Sequence, residues 1–123
     1  AAARGRRAGR RAMNEGPVTA AGAAMPVSAM LWFRADPASD EAVRGALARV
    51  VDAISPDAAA RIGHRHDEDR PYRTWMLDAG PVPAERYDAL LYRLHKAIGS
   101  AGLPSLMQGE AHVESFAWLG GER

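Results

Sequence analysis

The alternation of apolar and polar residues predicts four strands and two helices along the chain. Residues 27–34 carry large apolar groups on both parities, as expected for a buried strand. Residues 61–66 and 72–79 predict two further strands joined by an acidic turn, and residues 111–119 predict the last strand. Between these strands, apolar residues recur at helical spacing in two stripes, which are Val43, Leu47, Val50, Val51 and Ile54, and then Tyr87, Leu90, Leu91, Leu94 and Ile98.

Turn and cap residues separate the predicted elements. Pro56 ends the first helix, Pro83 suits the first turn of the second, and Gly99 and Gly102 end that helix before an irregular connection over residues 100–109. The resulting order is strand, helix, strand, strand, helix, strand. This order predicts a ferredoxin-like α+β fold, in which two helices cover one face of an antiparallel four-stranded sheet. Two such sheets could also pair as a dimeric α+β barrel.

The first 24 residues differ in composition from the rest of the 123-residue chain. The first 12 contain five arginines and no acid, and large apolar side chains are nearly absent up to residue 24. We therefore expect residues 1–24 to be a disordered tail, residues 25–119 to form one domain, and residues 120–123 to be a short C-terminal tail. Met13 or Met25 is the expected natural start. Without those five arginines the body holds 11 basic and 15 acidic residues, so we expect it to bind no nucleic acid.

Composition also excludes several classes of protein. The chain has no cysteine, which rules out disulfides, a thiolate nucleophile, cysteine-based zinc sites and iron–sulfur clusters. No stretch approaches the roughly 20 consecutive apolar residues of a membrane-spanning helix, and no signal-peptide pattern follows the arginines. No glycine-rich loop matches a phosphate-binding motif. We expect a cytoplasmic protein with no membrane partner and no cofactor.

Two short motifs carry a resemblance to a known family. The segment Arg73-Thr74-Trp75-Met76 enters the third predicted strand, and His112-Val113-Glu114 lies in the last, followed by Phe116. Over residues 29–118 the chain resembles a small bacterial family of unknown function. In that family an acidic residue and an aromatic follow in the third strand, where this chain has Leu77 and Ala79. Membership would imply the same ferredoxin-like fold, similar to dimeric α+β barrel proteins, and no known reaction.

Two pairs of side chains could ligate a metal. His64 and His66 share one face of the second predicted strand, while His112 and Glu114 share one face of the last. In the predicted fold these strands are opposite edges of the sheet, roughly 14 Å apart, and the two pairs point to opposite faces. We therefore expect no metal site in one subunit.

The sheet face away from the helices is predicted to be apolar. Such a face is polar in a monomeric protein, yet here either parity of each strand carries large apolar groups. The pattern does not fix whether Trp75 or Met76 points outward from the third strand. The candidate residues for a ligand or interface face are Met30, Trp32, Trp75, Met76, Phe116 and Trp118.

Two functions are compatible with this pattern. The first is a homodimeric binding or scaffolding module without catalytic activity, whose apolar faces pair and could enclose a small apolar ligand. The alternative is a cofactor-independent enzyme of oxygenase or isomerase type, with a cavity between the two sheets of a dimer. In that case His112 would act as the base and Glu114 as its partner.

Overall fold

Six regular elements follow each other in the predicted order. The computed structural model describes residues 25–65 and 68–120 of the chain, so the predicted N-terminal tail, His66 and residues 121–123 lie outside the description. The elements are β1 (Val27–Ala35), α1 (Asp40–Ile54), β2 (Ala60–Arg65), β3 (Arg73–Val82), α2 (Tyr87–Ser100) and β4 (Met107–Ala117). Short 3-10 turns at Pro37–Ser39, Ala84–Arg86 and Leu103–Leu106 precede α1, α2 and β4.

The four strands form one antiparallel sheet in the order β2-β3-β1-β4. Leu31 in the centre of β1 lies opposite Leu77 of β3 on one side and Val113 of β4 on the other. The predicted ferredoxin-like α+β fold is confirmed. β2 and β4 are the two edges of the sheet, which separates His64 from His112 and Glu114 as expected.

The core lies between the sheet and the two helices. Leu31 and Phe33 on β1 and Leu77 on β3 are fully buried and point to the same side of the sheet. The apolar stripes of both helices pack against them, and the buried helical residues include Val43, Leu47, Val50 and Ile54 from α1 and Leu90 and Leu94 from α2. Burial of these stripes is the main stabilising contribution to a domain of this size.

Trp75 points into this core, so its prediction as part of the outward face is wrong. It pairs with Phe33 across the β1–β3 ladder, has the same parity as Leu77, and is 1% exposed. Because side chains alternate along a strand, Met76 points to the opposite side and is 41% exposed. Packing of the large indole against the helices selects this orientation, which the alternation pattern of β3 left open.

Two strands extend further than their sequence pattern suggests. β3 continues through Gly80 to Val82 because glycine adopts a φ of +119° there, beside an irregularity in the β1–β3 register. β4 begins at Met107, and Gly109 with a φ of +80° lies where the β1–β4 register shifts. Within the described ranges, no helix is long and apolar enough to cross a bilayer.

Candidate functional site: the open face of the sheet

The helices leave one side of the sheet uncovered, and Trp32 lies at its centre. We call this side the open face; its residues include Ser28, Met30, Trp32, Arg34, Met76, Asp78, His112, Glu114, Phe116 and Trp118. Trp32 of β1 lies opposite Met76 on β3 and His112 on β4. The indole and imidazole rings stack with centroids 4.1 Å apart and planes 14° apart. This stacking fixes the position of two large flat side chains on an otherwise uncovered surface.

Phe116 and Trp118 extend the apolar part of the open face at the end of β4. Phe116 lies opposite Ser28, and both aromatic side chains remain nearly half exposed. The Trp118 indole Nε1 donates a hydrogen bond of 2.9 Å to the buried Ser28 Oγ, and its backbone N–H donates to the Pro26 carbonyl. These bonds hold the chain after β4 against the start of β1. Five sequence-predicted residues therefore share this face, namely Met30, Trp32, Met76, Phe116 and Trp118.

An acidic side chain borders the apolar residues. Asp78 lies opposite Met30 and Arg61, and its Oδ2 accepts a hydrogen bond of 3.3 Å from Arg61 Nε. Its Oδ1 is buried and has no hydrogen-bond partner among the described residues. A buried carboxylate oxygen without a partner carries a desolvation penalty, so the open face has an unsatisfied acceptor beside its apolar residues.

His112 and Glu114 lie on the open face and make no hydrogen bond with each other in the part of the chain that the structure describes. Glu114 lies opposite Met30 and His112 opposite Trp32, so two residues of β4 share this face as predicted. No hydrogen bond between them is found in the described part of the chain, and both side chains are exposed. The imidazole contacts an indole ring instead of a carboxylate. In a single subunit this arrangement provides no oriented base within a cavity.

A groove that the sequence did not predict lies on the helix side of the sheet. It has a volume of about 550 Å³ between α1 and the edge strand β2, and is lined by Arg44, Ala48, Ile62, Gly63, His64 and Trp75. Sequence patterns place these residues on separate elements without giving the distance between helix and strand. One sequence signal could have indicated part of the groove. His64 and Trp75 are direct partners in the β2–β3 ladder, so their side chains lie on the same face of the sheet.

Contacts with Arg73 and Trp75 orient His64 beside this groove. The Arg73 guanidinium lies 3.4 Å from His64 Nδ1 and donates a bond of 2.9 Å to Asp40 Oδ1. His64 also contacts the Trp75 ring at a centroid distance of 5.0 Å. The other predicted ligand, His66, is outside the described residues. Among those that are described, no three His, Asp or Glu side chains come close enough to hold a metal ion.

A polar contact between Tyr87 and Ser115 joins α2 to β4. The Tyr87 hydroxyl forms a hydrogen bond with Ser115 Oγ. Burial raises the pKa of the Tyr87 phenol above its ordinary value near 10, although the Ser115 bond acts in the opposite direction. The neutral phenol is therefore favoured by the fold.

Comparison with known proteins supports the fold assignment. No family model matches the chain, and no curated protein matches it. Among solved structures, a variant of SnoaB, a cofactor-independent oxygenase from Streptomyces nogalater, aligns with a TM-score of 0.57 at 15% identity, covering 80% of this chain and 97% of that one.

Two proteins from Nitrosomonas europaea show a similar fold. One, provisionally named an antibiotic biosynthesis monooxygenase, aligns with a TM-score of 0.53 at 11% identity over 76% of this chain and 89% of its own. The other has no known function and aligns with a TM-score of 0.53 at 16% identity, covering 80% of this chain and 94% of its own. The chain thus shares its ferredoxin-like fold with monooxygenase-type proteins and with proteins of unknown function. Similarity at this level of identity establishes the fold alone.

Proposed function

We propose that the chain is a homodimeric binding module in which two copies pair their open faces. The observation that carries this proposal is the group of five large apolar side chains on the uncovered side of the sheet: Met30, Trp32, Met76, Phe116 and Trp118. A sheet with one covered face normally presents polar residues on the other. Contiguous apolar surface of a few hundred Å² on a soluble chain is typical of an interaction site.

The residue types on the open face suit an interface between two proteins. Aromatic residues and methionine are enriched in interfaces, and tryptophan contributes disproportionately to binding energy when it is fully buried. A two-fold axis would place equivalent residues of two copies against each other, as in most homodimers. A face of four strands is also large enough for the roughly 800 Å² per partner of a stable interface. A small apolar ligand could occupy space left between the two sheets.

Sedimentation equilibrium of the full chain tests this proposal. We expect the unmodified protein to be a dimer at micromolar concentration. Trp32→Ala removes the central indole, and Met76→Lys places a charge on a side chain that is 41% exposed. Each change should weaken the dimer at least tenfold, because truncating a central interface aromatic or burying an unpaired charge costs about 2 kcal/mol or more.

Tyr92→Ala is the matched control for these variants. Tyr92 lies on α2 and is 66% exposed. Within the described ranges, the Lys96 ammonium is the only group in a ring contact with it. Its removal deletes a comparable aromatic surface away from the open face and should leave the dimer intact. A monomeric unmodified protein, or a dimer that Trp32→Ala and Met76→Lys leave unchanged, would refute the proposal.

The fold similarity to SnoaB favours a second candidate function, cofactor-independent oxygenation in a cavity between paired sheets. An oxygenase without a cofactor requires a substrate that itself donates electrons to O₂ after losing a proton. His112 is the candidate base, held by Trp32 and facing the space between two subunits. Here Glu114 would act on the imidazole only after rearrangement, since no hydrogen bond joins them in the described part of the structure.

His112→Ala distinguishes the two functions. In a binding module this variant weakens the dimer, because His112 stacks on Trp32 on the open face, and it has no O₂ consumption to lose. In an oxygenase it abolishes base-dependent O₂ consumption, which can be followed with hydroquinones as electron-rich test substrates. Absence of O₂ consumption above the non-enzymatic rate by the unmodified dimer would exclude oxygenation of this substrate class.

A further inference from the structure

The groove between α1 and β2 has the dimensions and chemistry of a ligand site that is separate from the open face. Its volume of about 550 Å³ falls within the range of small-molecule pockets. It exists because α1 does not cover the edge strand: Ile62 points to the helix side yet is 39% exposed, and Gly63 has no side chain. One wall is the indole of Trp75, a residue that is itself almost completely buried.

The groove offers hydrogen-bond donors without an acidic side chain. The Trp75 indole N–H is buried and has no hydrogen-bond partner among the described residues. An unpaired buried donor is costly, and such groups commonly bind a ligand or an ordered water. The Arg44 guanidinium lies 5.9 Å from the centre of the same indole ring. No ion pair of Arg44 with an acidic residue is found within the described ranges.

His64 adds a third donor through its tautomer. Arg73 can only donate hydrogen bonds, so His64 Nδ1, 3.4 Å from the Arg73 guanidinium, is the acceptor of that contact. In the neutral imidazole the proton is then on Nε2, which can donate to a bound group. Asp40 neutralises Arg73 at 2.9 Å but does not line the groove. The polar lining side chains therefore all donate.

The remaining lining is apolar. Ala48 and Ile62 provide contacts for a hydrocarbon body, while Arg44 and His64 lie beside it and can stack on an aromatic ring of the ligand. A ligand that matches both parts has an aromatic ring system and an anionic group with acceptor oxygens. We propose that this groove binds small aromatic carboxylates, with Arg44 and His64 as the groups that bind the carboxylate, next to the unpaired Trp75 N–H.

Binding of 2-naphthoate to the full chain tests this inference, with the neutral isostere 2-naphthamide as the comparison ligand. Isothermal titration calorimetry should show saturable binding of the carboxylate at millimolar or lower concentration. The amide should bind roughly tenfold more weakly, since it lacks the charge that strengthens a hydrogen bond to guanidinium. In ¹H–¹⁵N spectra the Trp75 indole signal, assigned with Trp75→Phe, should shift on binding, because Trp75 lines the groove.

Two arginine-to-glutamine variants, which each remove one positive charge, give a matched test and control. Arg44→Gln should weaken 2-naphthoate binding roughly tenfold and abolish the preference over the amide, while Arg86→Gln, outside the groove, should change neither. The inference is overturned if 2-naphthoate does not bind, if both ligands bind equally, if both variants weaken binding equally, or if the Trp75 indole signal stays fixed during titration. The dimer assay does not depend on any of these outcomes.

Discussion

Gly80→Ala should be strongly destabilising, because a side chain at this position meets two obstacles. The residue has a φ of +119°, a conformation that costs a residue with a side chain about 1–3 kcal/mol. A Cβ there would also lie 3.1 Å from the Val27 carbonyl oxygen and 3.2 Å from Ser28 Cα. These are backbone atoms of the neighbouring strand, so relieving the contact requires movement of β1 against β3, at a further cost of about 1–3 kcal/mol.

The expected loss for Gly80→Ala is about 3 kcal/mol after the smaller entropy of the unfolded alanine chain is considered. Two other glycines separate the contribution of the backbone strain from that of the close contact with β1. Gly102 has a φ of +74° with no atom near the added Cβ, so Gly102→Ala should cost only about 1 kcal/mol from backbone strain. Gly63 has neither a positive φ nor a close neighbour, and Gly63→Ala should change the free energy of unfolding by less than about 1 kcal/mol.

Urea unfolding followed by far-ultraviolet circular dichroism measures these three values in the full chain. The urea concentration at the unfolding midpoint should be highest for Gly63→Ala, lower for Gly102→Ala and lowest for Gly80→Ala, and the m-value should be the same for all three variants. If Gly80→Ala is no less stable than Gly102→Ala, the close approach of β1 to Gly80 contributes nothing and the reasoning fails.

Two further predictions concern buried hydroxyl groups. Ser28→Ala removes the acceptor of the Trp118 indole N–H and should lower the free energy of unfolding by about 1 kcal/mol, with a change in tryptophan emission; unchanged emission would contradict a bound indole. The raised pKa of Tyr87 means that the folded state holds its phenolic proton more tightly than the unfolded state. The stabilising contribution of the Tyr87 phenol should therefore be fully present below the ordinary tyrosine pKa and should decrease as the pH rises from about 10 toward the folded pKa. Tyr87→Phe should flatten this decrease in the free energy of unfolding. Parallel pH profiles of the two proteins would argue against the burial of the phenol.

The order of elements and most of the core follow from residue spacing alone. The stripe that includes Leu47 and Ile54 is buried in α1 as predicted, and β1 buries Leu31 and Phe33 on one parity. Periodicity suffices here because an amphipathic helix and a half-covered strand have few alternative orientations. The extent of β3 and β4 was harder to predict, since glycine normally ends a strand, whereas Gly80 and Gly109 lie within strands here.

The orientation of Trp75 and the groove beside it could not be obtained from the same patterns. β3 carries large apolar residues on both parities, so alternation leaves two solutions, and only packing against α1 selects one. The groove depends on how far α1 lies from β2, a distance that no local pattern encodes. His112 and Glu114 were correctly placed on one face, but their shared parity does not imply a hydrogen bond between them.

The irregularity at Gly109 limits the ways in which copies of this chain can associate. β4 is an edge strand of eleven residues, and a long regular edge is a template on which further strands add without limit. The register shift at Gly109 interrupts the row of free backbone groups, and Glu110 and Glu114 place negative charges along it. Growth of an open-ended fibre by edge pairing is therefore disfavoured, and the proposed association through the open face would end at two copies because each copy has only one such face.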